Sequence, residues 1–306
     1  MPEPGPGISV QLRKFRETKN IRPLLRAVSL VVRQGRTLEL LYGGYCSVLH
    51  RPSAVYPCEN EEALAAILDR RNEFSPHGTL SRHGTLSRER LTELYGEAFA
   101  VRFLPPDFVS ARGESVWREG EGLIVGEYGD HSRLAYITSQ TCVLSDYYEH
   151  IPSVRHIHSL QRFGNSGEFL VSTGDTSKFL DLWVISRGAM SFVKRLKRRL
   201  AGYTAAEEVN GEYYLGTDFT SRPNYIETLG SGEKFFFPEK AYKLRVDLFQ
   251  VFFDRYIAVI SKDLDVLSGR RTLSVFDTVQ KHFVFCDHWH FNGSQPENLP
   301  DHDTSG

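Results

Sequence analysis

Four acidic residues recur at nearly regular intervals, and each follows an apolar, strand-like run. They are Glu127, Asp175, Asp218 and Asp263, and the differences between their residue numbers are 48, 43 and 45. Carboxylates gathered at one mouth differ in pKa, because like charges raise it and nearby arginines lower it. One can then act as an acid and another as a base or nucleophile. We predict catalytic roles for Glu127, Asp175 and Asp218; the alternative at each position is a turn-forming residue that bonds only its own loop.

Basic, aromatic and amide side chains accompany these carboxylates in the same loops or at the starts of neighbouring strands. Carboxylates accept hydrogen bonds from hydroxyl groups, arginine forks bind acids, and tyrosine offers a stacking face. This mixture indicates a polar, hydroxylated or anionic small ligand. The predicted ligand contacts are Arg112, Tyr128, Arg133, Arg155, His156, His158, Lys178, Arg222, Asn224 and Asp263.

Two histidines, His156 and His158, stand two residues apart in a strand-like run, which places them on one face of a strand. Two adjacent imidazoles can hold a metal ion. The sequence shows no third ligand, so we predict neither a metal nor a cofactor, and a metal-dependent lyase or hydrolase stays an alternative. The chain contains no P-loop, no GxSxG and no HExxH motif.

The elements that must position these residues form a repeat. From about 115 to 289, four segments each read as strand, turn, strand, acidic loop and two further strands. The period matches a propeller blade of four strands. In such a meander the loops after the second strand and the entries to the first strand share one face, so the acidic loops converge.

We therefore predict an all-β fold, a β-propeller with five blades of four antiparallel strands. The first blade is a weaker copy, with strands over 28–32, 38–42, 46–49 and 99–103 and a helical insertion at about 60–97. The insertion contains a duplicated hexamer, over 77–82 and 83–88. Six blades remain an alternative. Residues 23–290 are predicted as one domain, between an N-terminal tail over 1–22 and a disordered tail over 291–306.

Composition excludes several classes of partner. The formal net charge is −1, which gives no global field to attract nucleic acid. The basic run over 194–199 is typical of a solvated strand end. The sequence lacks a stretch of about 18 apolar residues, so we predict no membrane insertion. Its four cysteines form no CxxC pair, which is typical of reduced thiols in a cytoplasmic protein.

Short motifs between about 112 and 230 resemble those of sialidase-like (BNR-type) β-propeller proteins. They are Gly126-Glu127-Tyr128, Arg155-His156-Ile157-His158, Ser172-Thr173-Gly174-Asp175, and Gly216-Thr217-Asp218 with Asn224-Tyr225. The resemblance implies a propeller and suggests carbohydrate recognition. The chain departs from true sialidases because it has no intact SxDxGxxW box and no clear arginine triad.

The leading functional prediction is a carbohydrate-active propeller, glycoside hydrolase-like or glycan-binding, with its site at the central mouth. A non-catalytic scaffold that holds protein partners is the alternative from another class. The two differ in the pore, because a hydrolase needs carboxylates within about 5 to 9.5 Å of one another.

Overall fold

The structure is a computed structural model of the 306-residue chain. It describes the following residues: 22, 25, 29, 49–70, 91–93, 99, 101–108, 116–119, 122–128, 131–151, 154–164, 167–175, 178–197, 202–219, 223–262 and 271–289. The predicted tail over 291–306, the tail residues before Arg22 and the duplicated hexamer lie outside this set.

Sixteen strands form four antiparallel sheets of four strands each within the described ranges, and in every sheet the strands follow chain order. The first sheet contains β1 (Val116–Glu119), β2 (Gly122–Gly126), β3 (Leu134–Ile137) and β4 (Cys142–Ser145); the second contains β5 (Val154–Arg162), β6 (Glu168–Asp175), β7 (Leu180–Ser186) and β8 (Ala189–Lys197). The third contains β9 (Tyr203–Val209), β10 (Glu212–Thr217), β11 (Tyr225–Thr228) and β12 (Lys234–Phe236); the fourth contains β13 (Arg245–Phe252), β14 (Tyr256–Lys262), β15 (Arg271–Asp277) and β16 (His282–Trp289). The four predicted repeats are therefore confirmed.

Tight hairpins set the register of these meanders. The turn between β9 and β10 consists of Asn210 and Gly211, with φ of 51° and 81°. The turn between β7 and β8 consists of Arg187 and Gly188, with φ of 51° and 77°. Two successive positive φ angles are the requirement of a type I′ turn, whose twist matches that of the flanking strands. These turns hold the paired strands in one alignment.

Neighbouring sheets pack face to face through separate apolar clusters. Ile124 and Leu134 of the first sheet share a cluster with Trp183 of the second. Leu182 of the second sheet shares one with Leu215 of the third. The third and fourth sheets share a further cluster, in which Ala205, Ile226, Val259 and Phe276 pack together. Burying both faces of each inner sheet produces a propeller-like stack in chain order.

The N-terminal part of the chain covers the remaining outer faces of the stack. Helix α1 (Glu61–Asp69) begins at Asn60, whose side chain accepts a hydrogen bond from Ala63 N at 2.9 Å. Its buried residues Ala63 and Ile67 pack on the fourth sheet. Leu91, Phe99, Val101, Leu104 and Phe108 pack on the outer face of the first sheet. The two ends of the stack are thus covered by one continuous region of sequence.

The prediction of a first blade is wrong at the positions that the structure describes. Ser29 and Leu49, which lie in predicted strands, are helical, and Val101–Phe103 forms a 3-10 turn. The helical insertion is confirmed at α1 and over 91–93. Short apolar runs fit a strand and a buried helix equally well, so periodicity alone misassigned these segments. Within the described part of the chain, no helix is long and apolar enough to cross a membrane.

Candidate functional site

One end of the four sheets carries the polar residues that the sequence singled out, and we call it the loop face. Strands β2, β6, β10 and β14 end there, and β1, β5, β9 and β13 begin there. Glu127 and Asp218 directly follow β2 and β10, and Asp175 is the last residue of β6. The predicted placement of these three acidic residues at strand ends is confirmed.

The carboxylate of Glu127 is fully buried and held by Arg133 of the same loop. Nε of Arg133 donates to Oε2 at 2.7 Å and its Nη2 donates to Oε1 at 2.7 Å, a two-pronged ion pair. These hydrogen bonds to Glu127 raise the pKa of Arg133 above its ordinary value. Asp107 lies 3.4 Å from Arg133 Nη1 on the exposed side. Glu127 and Arg133 are thus together, and they clamp the loop between β2 and β3.

The same loop contacts the first strand of the second sheet. Ile157 N donates to the Glu127 carbonyl at 2.9 Å, and Tyr128 forms an isolated antiparallel bridge with His156. The rings of Tyr128 and His156 lie 4.1 Å apart at an interplanar angle of 33°. The clamp of the first sheet therefore places an aromatic ring on a histidine of the second sheet.

His156 and His158 meet through their ring nitrogens. Their Nε2 atoms are 2.6 Å apart, and both residues are buried. The ring centroids are 4.6 Å apart with planes at 22°. Strand β5 changes register on both sides of Ile157. Such irregularities turn side chains away from simple alternation, which aims both imidazoles at one point.

A glycine makes room for the two imidazoles. A Cβ atom at Gly174 would overlap Nε2 of both His156 and His158. Gly174 is inside β6 and next to Asp175. A glycine in a strand often marks a close approach of other groups to the backbone. Here that close approach is the pair of imidazoles.

Asp218 of the third sheet lies against both a histidine and a lysine of the second. Its Oδ2 is 3.5 Å from His158 Nδ1, and its Oδ1 is 3.4 Å from Lys178 Nζ. Lys178 Nζ also donates to the Asp218 carbonyl at 3.1 Å. A Cβ atom at Gly202 would overlap the end of the Lys178 side chain, so a second glycine creates this space. We call Tyr128, His156, His158, Lys178 and Asp218 the loop-face cluster.

The charge of Asp218 is set by its neighbours. Burial by itself raises the pKa of a carboxyl group, but Lys178, His158 and Arg245 outweigh it and hold the pKa of Asp218 below its ordinary value. Arg245 begins β13, so the fourth sheet also contributes charge here. Its Nε is buried and has no hydrogen-bond partner among the residues that the structure describes. Three sheets therefore surround an ionised aspartate at the loop face.

The side-chain amide of Asn224 holds its own loop, between β10 and β11, in place. Its Oδ1 accepts hydrogen bonds from Phe219 N at 2.7 Å and from Thr217 Oγ1 at 3.0 Å, and its Nδ2 donates to the Phe219 carbonyl at 3.0 Å. All of these partners belong to the loop between β10 and β11 or to its edges. Asn224 thus fixes the loop that carries Asp218.

Several predicted residues cannot be placed. Arg112, Arg222 and Asp263 lie outside the described residues, and only the backbones of Arg155 and Asp175 are described. The sequence analysis missed Gly174, Gly202 and Arg245. Gly174 stands at a strand end beside the predicted site residue Asp175, which is the signal that points to it. No group of three or more His, Cys, Asp or Glu side chains in the described ranges is arranged to hold a metal.

A scan against protein-family models gives no match, and a comparison with curated proteins finds no similar sequence. Among solved structures the chain is similar to the hydrazine synthase of Kuenenia stuttgartiensis, with a TM-score of 0.43 and 11% sequence identity. The match covers 56% of this chain and spans 47% of the length of that one.

Proposed function

We propose that this chain is a β-propeller protein that binds a polar ligand of the carbohydrate class at the loop face. The observation that carries the proposal is the loop-face cluster, which three sheets build from a tyrosine, two histidines, a lysine and an aspartate. In this proposal the N-terminal region between the fourth and first sheets takes the place of a fifth blade and completes the ring.

The chemistry of the cluster suits a hydroxylated ligand. An ionised aspartate accepts hydrogen bonds from hydroxyl groups, imidazoles both accept and donate, and a tyrosine ring packs on the apolar face of a sugar. Four of the five residues are buried and Tyr128 is half-buried; burying polar groups is costly, because in an apolar setting they lose their water. A site that trades these contacts for ligand hydroxyls accounts for the arrangement.

Binding is better supported than hydrolysis. A glycosidase needs two carboxyl groups that can reach the scissile bond. Both oxygens of Glu127 face Arg133, and Asp218 is paired with Lys178. Asp175, whose backbone follows Gly174 at the end of β6, is then the acid for which we propose a catalytic role. Glycoside hydrolysis thus stays a proposal that depends on Asp175.

The experiment measures binding of a panel of neutral and acidic oligosaccharides by calorimetry and, in parallel, release of reducing sugar. The site variants are His156→Gln and Lys178→Gln, and the control is His150→Gln, an exposed histidine whose Nε2 lies 3.4 Å from Asp146. We expect at least about tenfold weaker binding in both site variants, or about 1.4 kcal/mol, with no change in the control. Equal binding by all four proteins would place the ligand elsewhere.

The two-pronged ion pair between Glu127 and Arg133 favours a second function, that of a non-catalytic scaffold. A carboxylate that is fully buried and doubly bonded holds a loop in place without any ligand. Absence of binding to every sugar, together with intact folding of the site variants, would shift support to this function. The next measurement would then be co-purification of partner proteins with the tagged chain.

A further inference from the structure

The contact between His156 and His158 restricts where protons can be. At 2.6 Å, two Nε2 atoms that both carried hydrogen would bring two hydrogens into collision. Two bare nitrogens would face each other with their lone pairs. One proton between the two nitrogens resolves both problems, because one imidazole then donates and the other accepts.

The ring geometry fits such a bond. The centroids are 4.6 Å apart and the planes differ by 22°. The distance between the centroids is close to the sum of the 2.6 Å between the nitrogens and the two ring radii. The rings therefore meet edge to edge. Because the planes differ by only 22°, a proton between the two nitrogens lies near the planes of both rings and points toward the lone pair of its acceptor.

Asp218 determines which histidine accepts. Its Oδ2 lies 3.5 Å from His158 Nδ1, longer than a normal hydrogen bond but close enough for a strong electrostatic preference. A negative carboxylate there favours hydrogen on Nδ1 of His158. In the neutral ring the hydrogen is then absent from Nε2 of His158. His156 consequently donates, and His158 accepts.

We propose that His156 and His158 act as one acid–base unit that shares a single proton, with Asp218 as the positioning residue for His158. This inference rests on the proposed function, since the ligand of the loop face is the group that exchanges protons with the pair. His156 lies nearer than His158 to the start of β5 at the loop face, so the exchange occurs on the His156 side.

In the exchange step Nδ1 of His156, the ring nitrogen that does not face His158, takes up a proton from a hydronium ion, which becomes water, or from a carboxyl group of an acidic ligand. The electron pair of the broken O–H bond stays on the donor oxygen, and His156 becomes an imidazolium. Its positive charge is offset by Asp218 through His158. Adding a further proton to the pair would need hydrogen on all four nitrogens, which the 2.6 Å contact forbids.

Among the side chains that the structure describes, the charged and titratable groups around the pair come from several elements. Asp218 follows β10, Lys178 precedes β7, Arg245 begins β13, and Tyr128 follows β2. The positive charge of Lys178 offsets the negative charge of Asp218. Asp218 therefore attracts a second proton to the histidine pair less strongly. The surroundings therefore permit a neutral pair and a singly charged pair.

The test is nitrogen NMR of the free full-length protein labelled with 15N-histidine, recorded between about pH 4 and pH 9. We expect one Nε2 of the pair to carry hydrogen and the other to be bare, a scalar coupling between them, and uptake of one proton by the pair. His156→Gln and His158→Gln assign the signals, with His150→Gln as the control. Each single variant should leave one histidine that titrates alone without the coupling.

Three outcomes would overturn the proposal. The first is uptake of two protons by the pair, which means independent histidines. The second is two bare Nε2 atoms together with stoichiometric zinc, copper or nickel in the purified protein, which means that the nitrogens converge on a metal. The third is an unchanged spectrum of His158 in Asp218→Asn. None of these measurements uses a sugar, so a failure of sugar binding leaves this result readable.

Discussion

Two polar clusters that share residues of the second sheet satisfy their side chains in opposite ways. The loop-face cluster contains one very short contact, one ordinary hydrogen bond and two long contacts, at 2.6, 3.1, 3.4 and 3.5 Å. The other cluster, which we call the inter-sheet network, consists of Tyr148, Asp181, Trp183 and Arg195. Its hydrogen bonds all measure 2.8 to 3.0 Å.

The inter-sheet network is complete without a ligand. Arg195 donates twice to Asp181, Tyr148 donates to the same carboxylate, and Trp183 donates to the Tyr148 hydroxyl. Burial, followed by the charge of Asp181, raises the pKa of Tyr148 well above its ordinary value, so this hydroxyl keeps its proton. A network with ideal geometry stabilises the packing of two sheets. The loop-face cluster differs in its uneven distances and in the two glycines that make room for its side chains.

The largest expected effect is on stability, in the inter-sheet network. Asp181→Ala leaves Arg195 without its carboxylate and the buried Tyr148 hydroxyl without its acceptor. We expect a loss of about 3–5 kcal/mol in the free energy of unfolding, measured with urea, because half of a buried ion pair remains. Sugar binding should stay unchanged in the protein that remains folded.

The control for this variant is Glu233→Ala, which removes an exposed ion pair. Glu233 accepts from Lys281 at 2.7 Å, and both side chains are nearly half exposed. Its loss should cost less than about 1 kcal/mol. If Asp181→Ala cost no more than this control, the distinction between the two clusters would fail.

A further acid, the half-buried Glu207, gives the next effect in size. Burial raises its pKa from 4.5 to about 7. Its contribution to stability is therefore full below pH 4.5 and is lost as the pH rises through about 7. We expect Glu207→Gln to be more stable than wild type at pH 8, by up to about 3 kcal/mol, and nearly equal at pH 4.5.

The comparison for Glu207 is its exposed neighbour Glu208, whose carboxylate accepts from Tyr213 at 2.8 Å. Glu208→Gln keeps an acceptor for this hydroxyl, so its unfolding should follow the pH dependence of wild type. Thermal unfolding between pH 4.5 and pH 8 distinguishes the variants. The same pH dependence in Glu207→Gln and wild type would contradict the prediction.

The smallest expected effect on stability comes with the sharpest effect on the site. Gly174→Ala places a methyl group where the Nε2 atoms of His156 and His158 meet. We expect the coupling between the two imidazoles to disappear and a destabilisation of about 1–3 kcal/mol, since the rings must move. Gly230→Ala is the matched control, because its Cβ would meet only the end of the Glu212 side chain, at 3.1 Å. A preserved coupling in Gly174→Ala would show that the rings need no such space.

Much of the scaffold was predictable because the spacing of repeated residues shows the period directly in the sequence. The acidic residues mark the ends of β2, β6 and β10 as predicted, and all sixteen strands fall in the predicted segments. The first blade was wrong because the apolar runs around Ser29 and Leu49 carry no clear alternation, so strand and helix fit them equally.

The site was predictable only as a set of residues. Tyr128, His156, His158 and Lys178 were among the predicted ligand contacts, and Asp218 was among the predicted catalytic residues. Glu127 and Arg133 were correctly placed in one loop. Their partners were not predictable. Register changes in β5 turn the histidines toward each other. Glu127 does not join the loop-face cluster because its carboxylate is paired with Arg133.

The sequence by itself determined four meanders and which ends of their strands carry polar side chains, because a period near 45 residues and alternating apolar positions are local properties. Only the tertiary structure decided which of these side chains meet. Contacts such as His158 with Asp218 join different sheets, and they depend on irregular register and on space left by Gly174 and Gly202. Those features arise from packing between sheets, which no local pattern encodes.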